Sequence, residues 1–200
     1  MGEIDCLYET SDGAVVHREV AVKLFLGHVD SQLASDWVGT SKVDRLDLKL
    51  DRLIQHQIRL SRTAANLNAW PQDLPLPTRV EVLISGAFFK HPNHKCWPEA
   101  MHQQAEQGFW CTSNEFLQLA RGAWNVLHKP WWLSTGYLAN EPTLDVAQVA
   151  RAVEQQQRPI FVACVEGSRQ QLDGRGFVVP SSWLTKPVQE GKVDLRLGPV

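Results

Sequence analysis

Four cysteines are scattered through the 200 residues, with no Cys-x-x-Cys pair among them. Their wide spacing argues against a redox centre or disulfide framework and reads as buried small hydrophobes. Charge of one sign is also missing: 20 basic residues meet 22 acidic ones, for a formal net charge of −2. A constitutive nucleic-acid coat protein carries a global basic excess, so any nucleic-acid contact here must be local. Long apolar runs are absent too. The longest, Ile160 to Val165, falls far short of the ~20 residues of a spanning helix, so no membrane span is expected. The start, Met-Gly-Glu-Ile-Asp-Cys, has neither a basic n-region nor an apolar h-region, and the expected location is cytoplasmic. No glycine-rich phosphate loop, dinucleotide fingerprint or Gly-x-Ser-x-Gly elbow occurs, so nucleotide-dependent and α/β-hydrolase chemistry lack their usual mark.

What is present is an ordinary globular composition, 44% hydrophobic and 21% charged, in a chain long enough for one domain over 1–200. Residues 3 to 26 read as a hairpin. Glu3 to Glu9 forms one strand, Thr10-Ser11-Asp12-Gly13 supplies turn chemistry, and Ala14 to Leu26 is rich in β-branched and aliphatic residues. Val43, Leu46, Leu50, Leu53, Ile54 and Ile58 recur at helical spacing between Lys42 and Leu60, with Ser41 as a cap. Pro71, Pro75 and Pro77 make 70–78 an extended loop, and Arg79 to Phe89 is a third strand. His91 to Gln107 reads as irregular. Helices are expected from the Thr112-Ser113-Asn114-Glu115 start signature to Ala120 and over Leu144 to Gln155, with strands at Pro159 to Val165 and Gly176 to Val179. The expected fold is α/β or α+β. A mixed central sheet begins with an antiparallel hairpin and is flanked by helices, with a motif region over 1–90 and a Trp-rich part over 91–200.

The chemistry-bearing stretch is Gly2-Glu3-Ile4-Asp5 followed by His17-Arg18-Glu19-Val20-Ala21-Val22-Lys23. In a strand, His17, Glu19, Ala21, Lys23 and Phe25 share one face, and Val16, Arg18, Val20, Val22 and Leu24 share the other. The second set is expected to be the core face. Hairpin register decides whether Asp5 joins Glu19. A two-residue Asp12-Gly13 loop puts Asp5 opposite Val20, whereas a three-residue Ser11-Asp12-Gly13 loop with a left-handed Gly13 pairs Glu9 with Val15 and hence Asp5 with Glu19. Opposed carboxylates destabilise a bare sheet, a cost that makes sense if a hard divalent cation, Mg²⁺ or Mn²⁺, lies between them. Lys23 could then serve a metal-bound water, and the function that follows is phosphodiester hydrolysis. Solvated rim charges are the plain alternative.

Gly-Glu-Ile-Asp on one strand and a Glu/Lys strand after a short turn, followed by a helix, resembles the PD-(D/E)XK nuclease superfamily. The run from Gly2 to Lys23 with Leu24-Phe25-Leu26-Gly27, the Asp44-to-Leu50 helix with His56-Gln57, and Arg175-Gly176-Phe177-Val178-Val179-Pro180 resemble more closely an uncharacterised bacterial family, number eighteen fifty-three among the domains of unknown function. The superfamily resemblance implies a restriction-endonuclease-like core. It also implies a Mg²⁺-dependent cut in nucleic acid, with Asp5, Glu19 and Glu3 as metal ligands and Lys23 as the motif lysine. Three features depart from that pattern. Ala21 stands where the motif's acidic residue belongs, two positions before Lys23. Glu19 lies four positions before Lys23, about 13 Å along a regular strand rather than about 6.6 Å. The helix and strand that should precede the aspartate strand are missing, which implies a truncated reading frame or a partner subunit at that edge. A catalytically inactive module of the same fold, binding nucleic acid or protein, is the alternative reading.

Second-rank candidates are His17 and Gln57, the latter directed from its helix toward the site or the core. The segment 42–62 carries six basic residues against three acidic ones, so Lys42, Arg45, Lys49 and Arg52 are candidate phosphate contacts. His91, His94, Cys96, His102 and Cys111 match no familiar zinc spacing and read as polar loop residues, with zinc as the alternative. Of eight tryptophans, most are expected in the core, with base stacking as the alternative role. A homo-oligomer or partner subunit is left open.

Overall fold

A computed structural model describes residues 3–99, 101–129, 131–133, 142–165, 172, 174–188 and 190. Gly2, and the side chain of Trp131, lie outside the described residues. The strands are β1 (Cys6–Glu9), β2 (Val15–Gly27), β3 (Trp37–Val38), β4 (Arg79–Lys90), β5 (Glu106–Thr112), β6 (Ala123–Leu127), β7 (Thr143–Asp145), β8 (Ile160–Cys164) and β9 (Arg175–Val179). The helices are α1 (Leu46–Gln55), α2 (Leu60–Asn66), α3 (Ser113–Leu119) and α4 (Val146–Gln156). One mixed sheet runs in the order β1-β2-β4-β5-β9-β8-β6-β7, with β3 paired to β2. β2, β4, β5 and β9 are mutually parallel neighbours, and the pairs at both ends are antiparallel. The sheet thus joins the 1–90 and 91–200 parts of the chain.

The hairpin has the three-residue loop. Cys6 pairs with Arg18 and Glu9 with Val15. Thr10 N donates to Ala14 O at 2.9 Å, and Gly13 takes φ +82°, where a side chain would be strained. β1 begins at Cys6 rather than Glu3, because Asp5 lies in a bend and turns its carboxylate to backbone.

The two faces of β2 are the reverse of the expected ones. His17 and Glu19 are fully buried, Ala21 and Phe25 nearly so, while Val20 and Val22 are 37% and 48% exposed. Alternation reveals the period of a strand but not which side receives the crossover. Here the connection from β2 to β4 carries α1 and α2 across the odd-numbered face. Phe25, Trp37, Leu46 and Phe88 form the core there. On the opposite side Leu26, Val38, Ala87 and Phe89 join Trp110, Phe177 and Trp183.

The expected 42–60 helix is split. Lys42 adopts φ +61°, so the chain turns before the helix, and α1 is capped at Arg45 without a side-chain bond. Ser41 therefore does not cap it. His56 (φ −120°, ψ −59°) breaks the helix, and a single 3-10 turn at Gln57–Arg59 leads into α2. α3 and α4 both start on capping boxes, Thr112 with Glu115 and Asp145 with Gln148. They cover the far half of the sheet over Phe109, Cys111, Phe116, Trp124 and Val162. β5 and β6 were not foreseen, since each is short, aromatic and without clear alternation. Trp37, Trp110, Trp124 and Trp183 are fully buried core residues. Among the described residues no helix is long and apolar enough to cross a membrane.

Candidate functional site

The polar core of the helix-covered face is organised around Glu19. Its Oε1 accepts from His17 Nε2 at 2.7 Å and its Oε2 from Gln57 Nε2 at 2.9 Å. His17 Nδ1 meets Ser61 Oγ at 3.0 Å. Each of these side chains follows from local structure. His17 and Glu19 are alternate residues of β2, the break at His56 swings Gln57 over the sheet, and Ser61 sits in the first turn of α2. A carboxylate taken wholly out of water is tolerable only with such donors and a compensating charge. Gln57 Oε1 is buried with no hydrogen-bond partner among the described residues.

Continuing the β1–β2 register by one residue brings Asp5 opposite Glu19. Asp5 is exposed, and its Oδ2 accepts from Val20 N at 2.9 Å. α1 brings an ammonium into the field of this acid. Lys49 is half-buried, and burial lowers its ammonium pKa. Lys23 and Arg52 push it the same way, while Asp5 and Glu19 oppose them. An amine on α1 thus sits in the field of both acids, a role that sequence spacing had assigned to Lys23. The Leu46-x-x-x-Leu50 stripe, with Lys49 beside it, is the signal that could have placed it.

Lys23 itself is turned elsewhere. Its Nζ donates to Asp44 Oδ1 at 2.9 Å. Gly86 (φ +131°) faces Lys23, and a Cβ there would lie 1.8 Å from the Lys23 carbonyl oxygen. Across the site, Gly39 N donates to Asp44 O at 2.9 Å and closes the turn that presents the carboxylate.

The candidate phosphate contacts divide. Lys42 is 3% exposed, donates to Leu184 O and Lys186 O at 3.3 and 3.0 Å, and lies over the Trp183 ring, so it ties the C-terminal 3-10 turn to the sheet instead of facing solvent. Arg45 is paired with Asp47, its Nε 2.9 Å from Oδ1. Lys49 remains in the field of the acids, and the exposed Arg52 stands near Lys49. Glu3 is exposed, and among the described residues no group of three or more His, Cys, Asp or Glu side chains is gathered to hold a metal ion. Glu3 therefore does not complete a three-ligand set with Asp5 and Glu19. The same finding covers His91, His94, Cys96, His102 and Cys111. His91 instead bonds Glu115 at 2.9 Å, and its ring lies 4.8 Å from that of Trp110.

These features describe an open mixed α/β sheet with one buried, hydrogen-bonded carboxylate, Glu19, beneath its crossover helices. A family model, Domain of unknown function (DUF1853), matches residues 1–179, and the chain belongs to that family. Comparison with curated proteins and with solved structures returned no significant match.

Proposed function

We propose that the chain hydrolyses phosphodiester bonds of nucleic acid with a divalent cation, on a restriction-endonuclease-like core formed by β1, β2, α1 and β4. What supports the reading is that Asp5, just before β1, turns its carboxylate onto β2 at Val20, the residue next to Glu19, with the Lys49 ammonium in the field of both acids. The donor set fits the implied ion. Two carboxylates suffice for Mg²⁺, which keeps several waters and takes substrate phosphate oxygens. The Glu19 oxygens each accept one hydrogen bond and keep lone pairs, and the orphaned Gln57 Oε1 marks unsatisfied polar capacity beside them. Asp5 and Glu19 would hold the ion, whose chemistry is to neutralise developing phosphate charge and acidify a water. Lys49 would hold the attacking water or the phosphate by charge, Gln57 and His17 would fix the Glu19 rotamer, and Ser61 the His17 ring. Lys23 is a positioning residue through Asp44.

The experiment is thermal unfolding with and without Mn²⁺, alongside nicking of plasmid DNA. Mn²⁺ is expected to raise the melting temperature of the wild type and not of Asp5→Asn, and nicking should vanish in Asp5→Asn and Lys49→Ala. Equal shifts in wild type and Asp5→Asn refute a metal site there. One observation favours a second reading, a non-catalytic binding module: Glu19 is fully buried with both oxygens engaged and Lys23 is drawn to Asp44. Folded protein that shows no metal-dependent nicking of duplex or single strands would decide for it.

A further inference from the structure

Resting on that reading, we infer that the cavity next to Lys23 receives one unpaired nucleotide, making single-stranded nucleic acid the preferred substrate class. The cavity, about 430 Å³, is walled by Val22, Leu24, Thr40, Ser41, Lys129 and Trp132. That volume lies in the ~300–1,000 Å³ range of small-ligand sites. Its floor is an interrupted sheet edge. β1 pairs β2 only through Val15–Arg18, and β3 pairs it only at Leu26 and Gly27. Val20 N–H points to this side, where Asp5 takes it. Backbone alternation turns the N–H and C=O of Val22 and Leu24 the same way, and among the described residues no strand or side chain meets them. A heterocyclic base carries the matching donors and acceptors along one edge.

The wall supplies the rest. Trp132 is anchored by its Nε1–H to Leu127 O at 2.8 Å and by edge contacts with Phe161 and Phe177, so its ring is a fixed stacking surface. Lys129 Nζ lies over that ring, 4.9 Å from its centre, so a base would take the place of the ammonium on the ring face and the freed ammonium would meet the phosphate. Lys23, held by Asp44, also lines the cavity and at the same time lies in the field of Lys49. Lys49 in turn stands in the field of Asp5 and Glu19, so two side chains, Lys23 and Lys49, separate the cavity from the acids. A base lodged here would leave its own backbone along the β2 edge, toward the exposed Asp5. A paired base would have to leave its duplex first, at a cost of several kcal/mol.

The test is fluorescence anisotropy of a labelled twelve-nucleotide oligothymidylate and of a duplex of the same length, in EDTA so that no cutting intervenes. The single strand should bind at least roughly tenfold more tightly than the duplex. Ser41→Trp, which fills the cavity from an exposed loop position, and Lys129→Glu should each weaken single-strand binding roughly tenfold. Neither should change duplex binding or the melting temperature. No preference for the single strand, or wild-type affinity in both variants, overturns the inference. The catalytic reading is scored separately by Mn²⁺-dependent nicking. Nicking lost in Asp5→Asn while single-strand binding persists supports both, and single-strand binding without any nicking by the wild type sinks catalysis alone.

Discussion

Replacing Glu19 separates two uses of a buried acid. Glu19→Gln keeps the shape: His17 can still donate to the retained oxygen, and Gln57 can rotate its amide so that the orphaned Oε1 accepts from the new NH₂ group. Two charge-assisted bonds become neutral ones, a loss of about 1 kcal/mol each, while the desolvation of a fully buried carboxylate is relieved. The two effects oppose, so the net change should stay within about 1 kcal/mol. Glu19→Ala strands both donors at about 1–3 kcal/mol apiece and opens a cavity, for an expected loss of about 3–5 kcal/mol. In a chain of this length each kcal/mol moves the melting temperature by about 2–4 °C, so urea and thermal unfolding resolve the pair easily. If Ala costs no more than Gln, the His17–Glu19–Gln57 network is not the polar core described here. Loss of the Mn²⁺ shift in Glu19→Gln, with stability retained, would in addition link this carboxylate to the cation.

Gly86→Ala should lose about 3 kcal/mol or more by denaturant unfolding, because φ +131° and a Cβ 1.8 Å from the Lys23 carbonyl force the β2–β4 ladder apart; a neutral effect would show that the ladder yields there. Glu115 supplies a pH signature. Burial raises its pKa, but the Thr112 side-chain and backbone hydrogen bonds and His91 outweigh it and leave the carboxyl below its ordinary value of 4.5. Its contribution is therefore complete above that value and is lost as pH falls through the lower folded-state value. Urea midpoints of wild type should drop relative to Glu115→Gln as pH goes from 5 toward 3, and parallel curves would contradict the Thr112–Glu115 box.

How legible the fold was varied with the physics of each segment. The hairpin could be read because its turn chemistry is local, but Asp12-Gly13 suits a two- or a three-residue loop, and only the observed pairing of Glu9 with Val15 chose between the two registers. The starts of α3 and α4 could be read because capping groups act within one turn. The Lys42-to-Leu60 pattern concealed a break, because the left-handed Lys42 is stabilised by Leu184 and Lys186, about 140 residues away in sequence. Short strands such as Ala123–Leu127 carry too few residues for periodicity to register.

By itself, then, the sequence determined local matters: the hairpin, the capping boxes that start α3 and α4, and the family. Only the tertiary structure decided which face of β2 is buried, since a helix crossing on the odd side covers His17 and Glu19 whatever the hydropathy of Val20 and Val22. It also decided the partner of Lys23. A strand position sets the direction of Lys23 to within a face, but the partner is chosen by proximity in space, and there Asp44 captured it.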